Sequence, residues 1–162
     1  MRVLSSCPAA ARDRRRTALA ECGTMRATAM LSSHSPMPAT CPFCTLPAER
    51  VLHADANAVV IRDGFPVSPG HTLLIPRRHV ASFFDLSAAE RASLMTLLDW
   101  AKAEIEREHR PDGFNIGIND GPAAGQTVSH LHVHLIPRYL GDAAAPRGGV
   151  RWVIPTRAKY WD

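Results

Sequence analysis

A chain of 162 residues is one domain of ordinary size, with length to spare for a tail. Its composition, 46% hydrophobic and 21% charged, excludes a wholly disordered, collagenous or coiled-coil protein, and no run approaches the roughly 18 apolar residues of a membrane span. The formal charge of +4 would suggest a nucleic-acid partner if it were spread over the whole chain. It is not: residues 1–40 carry six Arg against Asp13 and Glu21, whereas residues 41–162 carry thirteen charges of each sign. The organised part is neutral, so neither a nucleic-acid nor a membrane partner is expected.

Residues 1–40 hold Arg2, Arg12, Arg14, Arg15, Arg16 and Arg26 among many Ala and Ser, with no stable apolar period. They read as a disordered or over-long Arg-rich extension, with Met25, Met30 and Met37 as alternative starts. The same composition is that of an organelle transit peptide. The domain proper is expected over residues 41–162. Cys7, Cys22, Cys41 and Cys44 are too few, in too long a chain without an apolar signal, for a secreted disulfide scaffold.

In chain order, Val51–His53 reads as a short strand and Ala58–Arg62 as a stronger one, followed by a turn through Asp63-Gly64-Phe65-Pro66 and Ser68-Pro69-Gly70. His71–Ile75 is a third strand, stopped by Pro76. Ser87-Ala88-Ala89-Glu90 has the form of a capping box, and Leu94, Leu97, Leu98, Ala101 and Ile105 follow at helical spacing, which predicts an amphipathic helix over Ala88–Glu108. A strand over Phe114–Asn119, a Gly-rich loop over Asp120–Gly125 and a last strand over Val128–Ile136, closed by Pro137, complete the pattern. Strands with one long helix in this order define an α+β domain.

The chemistry concentrates in the last strand. His130, His132 and His134 alternate with Leu131, Val133 and Leu135, so a strand turns three imidazoles to one face and three apolar side chains to the other. Such a face could bind a metal. At about 3.3 Å per residue, however, the outer two Cα atoms stand about 13 Å apart, too far to share one ion easily alongside His132. The alternative is nucleophilic catalysis on phosphorus, in which a neutral imidazole attacks and water resolves the covalent intermediate. That chemistry needs the ring fixed in one tautomer and donors for the phosphoryl oxygens. Asn119, Gln126, Thr127 and the backbone of Gly121–Gly125 lie close enough in sequence to supply them.

Cys41-Pro42-Phe43-Cys44 is open to three readings: two small buried thiols, a redox dithiol, or half of a zinc site. The βαβ context of a thioredoxin-like dithiol is missing. A zinc site would draw its other ligands from His53, His71, His79, His109 or one end of the triad.

His130-Leu131-His132-Val133-His134-Leu135-Ile136 resembles the signature of the histidine triad superfamily of nucleotide hydrolases and transferases. Gly70-His71-Thr72-Leu73-Leu74-Ile75-Pro76-Arg77-Arg78-His79, Asn119–Thr127 and Pro137-Arg138 extend the resemblance over about Cys41–Tyr160. The Asp120–Thr127 stretch is similar to the fragile-histidine-triad branch, which cleaves dinucleoside polyphosphates, and Cys-Pro-Phe-Cys to zinc-containing bacterial members.

The resemblance implies a HIT-like fold, an antiparallel sheet with one long helix packed on it, in a cytoplasmic homodimer. It implies an enzyme in which His132 takes up AMP from the α-phosphorus of a diadenosine polyphosphate or a related adenosine-phosphate compound. His134 would contact the phosphate and assist the leaving group, with His71 as a supporting residue. Asn119, Gln126 and Thr127 would hold phosphate oxygens, and Asp63 would accept from the ribose. A structural zinc would fall to Cys41, Cys44, His79 and His130, with no organic cofactor. The third histidine disfavours transfer to sugar phosphates, where that branch has glutamine. A phosphoramidase, a phosphorylase and a slow nucleotide-binding regulator of the same superfamily stand as alternatives. Pro146–Pro155 reads as a strand with an aromatic anchor, and Arg147, Arg151 or Trp161 as residues that could select the distal group of the nucleotide.

Overall fold

The computed structural model describes residues 41–161, so the tail expected over residues 1–40 lies outside the described residues. Five strands, β1 (Val51–Ala54), β2 (Ala58–Arg62), β3 (Thr72–Pro76), β4 (Gly113–Gly117) and β5 (Val133–Arg138), form one antiparallel sheet in the order β1-β2-β3-β5-β4. The long helix α1 (Ala88–His109) joins β3 to β4 and covers one face, and a four-residue helix α2 (Pro155–Ala158) lies near the C-terminus. The α+β architecture, with one long helix packed on an antiparallel sheet, is as expected.

Alternation along the strands divides the sheet into two unlike faces. Ala58, Val60, Leu74, Val133 and Leu135 point to α1 and pack with Leu94, Leu97, Ala101 and Ile105 in the main core. Each buried Leu or Ile there contributes about 1.5–3 kcal/mol. Val59, Ile61, Leu73 and Ile75 point the other way and are covered by Phe43, Leu46, Val51 and Ala54. The N-terminal loop thus covers only part of the second face. The rest of it is open, and His134, paired with Leu73 and with Gly117, stands there.

The capping box forms as the spacing predicts: Ser87 Oγ accepts from the Glu90 N–H, and the Glu90 carboxylate accepts from the Ser87 N–H. Arg78 donates to both Glu90 oxygens at 2.8 Å, and these hydrogen bonds hold the Glu90 carboxyl at about 2. The start of α1 is thereby tied to the chain leaving β3. The helix ends at His109, one residue beyond expectation, with Arg110 in the left-handed region.

Four expectations need correction. The last strand begins at Val133, not Val128, because the preceding backbone bonds elsewhere: the Leu131 N–H goes to the Val80 carbonyl at 2.7 Å. It also runs past Pro137 to Arg138, since Pro137 lies beyond the Val133–Leu135 stretch that pairs with β3 and its missing N–H costs no ladder bond there. β4 stops at Gly117, leaving Ile118 and Asn119 in the loop, and β3 runs Thr72–Pro76, one residue on from the expected span. The C-terminal piece is not a strand but a 3-10 turn, Gly149–Val153, leading into α2. Gly148 starts that turn at φ 94°, where an added Cβ would meet the Trp161 ring at 2.9 Å. Among the described residues no helix is long and apolar enough to cross a membrane.

Candidate functional site

Although His130 and His132 precede the strand, the alternation survives: Leu131, Val133 and Leu135 all enter the α1-side core. The three imidazoles are left on the opposite side, against Phe43, whose ring centroid is 5.9 Å from that of His130 and 5.1 Å from that of His132. His132 and His134 follow at 4.9 Å.

The outer end of the triad meets the cysteine pair. His130 Nδ1 is 3.4 Å from Cys41 Sγ and 3.5 Å from Cys44 Sγ, and His79 Nδ1 is 3.2 Å from Cys44 Sγ. One ligand-type atom from each of Cys41, Cys44, His79 and His130 lies within 4.8 Å of the other three. Tetrahedral zinc with ordinary Zn–S and Zn–N bonds separates neighbouring sulfur and nitrogen ligands by about 3.5 Å, so the spacing fits. The tautomer fits too. His130 Nε2 is 2.8 Å from the Pro76 carbonyl, which can only accept, so the hydrogen sits on Nε2 and the Nδ1 lone pair faces the thiols. His130 is fully buried, and burial lowers its pKa, keeping the ring neutral. Burial and the neighbouring Cys41 push the Cys44 thiol up to about 11.

Of the other histidines considered for this cluster, His53 stacks on Trp100 at 4.3 Å, His109 lies beside Glu108, and His71 joins the other end of the triad.

The middle residue is held by its neighbour's backbone. His132 Nδ1 is 2.9 Å from the His130 carbonyl, which fixes the hydrogen on Nδ1 and leaves the lone pair on Nε2. Such a ring is a nucleophile of defined orientation. At the far end His134 Nδ1 is 3.0 Å from His71 Nε2. His71 Nδ1 accepts from the Val67 N–H at 3.3 Å and stands 3.3 Å from a carboxylate oxygen of Asp63, whose other oxygen accepts from the Phe65 N–H. Desolvation lowers the pKa of His71 and, joined by repulsion from His132 and His71, brings His134 down to about 4. Both rings are therefore neutral near pH 7.

The loop residues fall into two groups. Asn119 lines a cavity shared with His71 and His134, and Thr127 is exposed. Gln126 is engaged at both ends of its amide: its oxygen accepts from the Gly121 N–H at 2.9 Å and its nitrogen donates to the Ala81 carbonyl at 2.8 Å. These two bonds brace the loop and leave the second N–H of the amide free to donate. Asp120 also braces it, accepting from Ser82 Oγ and the Phe83 N–H. Sequence reasoning gave no role to Asp120, Ser82 or Phe43; Asp120 and Phe43 lie within motifs it singled out, whereas Ser82 carried no local signal.

Comparison with known proteins identifies the family. The HIT domain matches residues 46–141, and the chain belongs to that family. It is 44% identical over 80 residues to an AP-4-A phosphorylase of Mycobacterium tuberculosis, covering 49% of this chain and 41% of the relative. It is 46% identical over 77 residues to the asymmetrical bis(5'-nucleosyl)-tetraphosphatase of Schizosaccharomyces pombe, covering 48% and 42%. The chain thus spans less than half the length of either. Among solved structures it is similar to a zinc-bound histidine triad family protein from Mycobacterium smegmatis, at 36% identity and a TM-score of 0.58, covering 65% of this chain and 80% of that one. The family's relatives include nucleotide hydrolases and phosphorylases.

Proposed function

We propose that the protein cleaves diadenosine polyphosphates or a related adenosine-phosphate compound by way of an adenylyl-histidine. His132 Nε2 attacks the α-phosphorus in line, a P–N bond forms as the P–O bond to the leaving phosphate breaks, and water then displaces the histidine to release AMP. The observation that carries this reading is the His132 Nδ1 contact with the His130 carbonyl, which places the hydrogen on Nδ1 and leaves Nε2 as the nitrogen that attacks. That carbonyl also stabilises the Nδ1–H as positive charge develops during attack. His134, hydrogen-bonded to His71, donates to the phosphoryl and leaving oxygens. Asn119, Gln126 and Thr127 supply further donors, Gln126 also holding their loop in shape, and Asp63 accepts from the ribose while facing His71.

Cys41, Cys44, His79 and His130 would hold zinc. A four-ligand site is closed, so bound zinc supplies a structural cross-link and no step of the reaction. His130 carries both a ligand nitrogen and the carbonyl that orients His132. Two zinc-ligating thiolates support a reducing compartment, the cytoplasm. A homodimer is supported by the edge strand β4, whose Ile116 is half exposed.

The test is turnover of diadenosine triphosphate and tetraphosphate by the wild type and by His132→Ala, with products separated in water and in phosphate buffer. AMP release that disappears in the variant is expected, and equal rates would overturn the assignment. The 44% identity to an AP-4-A phosphorylase favours a second reading, in which inorganic phosphate replaces water as the acceptor; ADP and ATP from diadenosine tetraphosphate in phosphate buffer, in place of AMP and ATP in water, distinguish it.

A further inference from the structure

On the open face of the sheet lies a cavity of about 320 Å³, within the range of small-molecule sites. His71, Asn119 and His134 line it. Its apolar lining comes from Ile116 and Ile136 of the sheet and from two segments outside the triad motifs: Val67, before β3, and Val150 and Val153, on the C-terminal 3-10 turn. Its lining contains no Lys or Arg. Arg147, Arg151, Trp152, Tyr160 and Trp161 are occupied in shaping the C-terminal segment. Arg151 donates to the Arg157 and Ala158 carbonyls at 2.9 and 2.8 Å and lies over the Tyr160 ring. Arg147 sits 4.5 Å over Trp161, and Trp152 Nε1 donates to the Arg147 carbonyl at 2.9 Å. These contacts fix the turn so that its valines, not its arginines, face the cavity. Val67, Val150 and Val153 are largely exposed to solvent.

Resting on the function proposed above, we infer that Val67, Val150 and Val153 form the subsite for the leaving group and that this subsite selects a flat, uncharged body, the second nucleobase of a dinucleoside polyphosphate. An apolar wall without cations offers nothing to the terminal charges of a bare polyphosphate, whose desolvation it would not repay. A nucleobase presents apolar faces to the valines and polar edges to Asn115 and Asn119, which line the same cavity. The cavity reaches the reacting centre through His134, the residue on the leaving-group side. Phe43 and Leu46 form a second apolar wall on the same face, beyond His132, so the histidines lie between two apolar surfaces. A substrate with a base at each end and phosphates between them matches that layout.

The experiment measures binding of two non-cleavable ligands by calorimetry: the methylene-bridged analogues of diadenosine tetraphosphate and of adenosine tetraphosphate, which lacks the second base. The wild type is expected to favour the two-base ligand by about tenfold or more, the scale of a modest apolar contact. Val150→Ser combined with Val153→Ser should bring the two affinities within about twofold, whereas Val153→Leu retains the preference. Val67→Ser, on a separate segment, should lower the preference in the same direction, and serves if the double variant fails to fold. Equal affinities in the wild type, or a preference that survives both sets of serine variants, overturns the inference alone. Failure to bind either ligand overturns it together with the proposed nucleotide chemistry.

Discussion

Acid should destabilise this fold through His134 before it protonates most carboxylates. Desolvation, with His132 and His71 alongside, holds the folded-state pKa at about 4 against an ordinary 6.5. The unfolded chain therefore binds the proton first as pH falls. His134 contributes its full stability above about pH 6.5, loses it progressively between 6.5 and 4, and contributes nothing further below. At roughly 1.4 kcal/mol per pH unit the whole interval is worth about 3 kcal/mol, and partial solvent access to the ring brings it to about 2. Urea unfolding of the wild type and of His134→Gln, at pH 7.5 and 4.5 with a chelator present throughout, measures this contribution. Differences between the two proteins cancel whatever the Cys41–His130 cluster adds. The wild type should lose about 2 kcal/mol more than the variant over that interval. Identical losses would refute the reasoning and place His134 in contact with water.

Zinc affinity should rise with pH through the neutral range, because metal must displace the proton from a Cys44 thiol raised to about 11; a competition titration at pH 6.5, 7.5 and 8.5 follows it. Affinity that is flat with pH would argue against thiolate ligation. Leu131→Ala should cost about 3 kcal/mol by chemical denaturation, since Leu131 is fully buried in the α1-side core between His130 and His132. Gln126→Ala should lower kcat/KM for a dinucleoside polyphosphate by about tenfold while leaving unfolding nearly unchanged, because it loosens the loop between Gly121 and the Ala81 carbonyl. An unchanged kcat/KM would show that the loop needs no brace.

The parts of the fold legible in the sequence were those carried by periodicity. The helix declared itself through Ser87, Glu90 and the leucine spacing, and the triad through alternation that the core enforces even where no ladder exists. Leu131 and Val133 must be buried, so His130 and His132 turn the other way whether or not the backbone is a strand. What the sequence hid was set by single long-range bonds. The Leu131 N–H to Val80 contact, which delays the start of β5 to Val133, joins residues with no local pattern in common. Gln126 carried the signature of a phosphate donor, but its second task, tying Gly121 to the Ala81 carbonyl, had no local pattern. The C-terminal turn depends on Gly148 and on arginine bonds to backbone carbonyls, and a segment containing Val150, Trp152, Val153 and Ile154 looks equally suited to a strand. The cysteine pair could not choose its own partners; His79 and His130 reach it only because β3 and β5 are neighbours.

The central claim, a covalent bond between His132 and the α-phosphorus, is tested most directly by stereochemistry. Diadenosine tetraphosphate carrying a thiophosphate of one configuration at the α-phosphorus is cleaved in oxygen-18 water, and the configuration of the labelled AMP thiophosphate is determined. Two successive in-line displacements predict net retention. Net inversion would mean that water attacks directly, and would contradict His132 as the nucleophile.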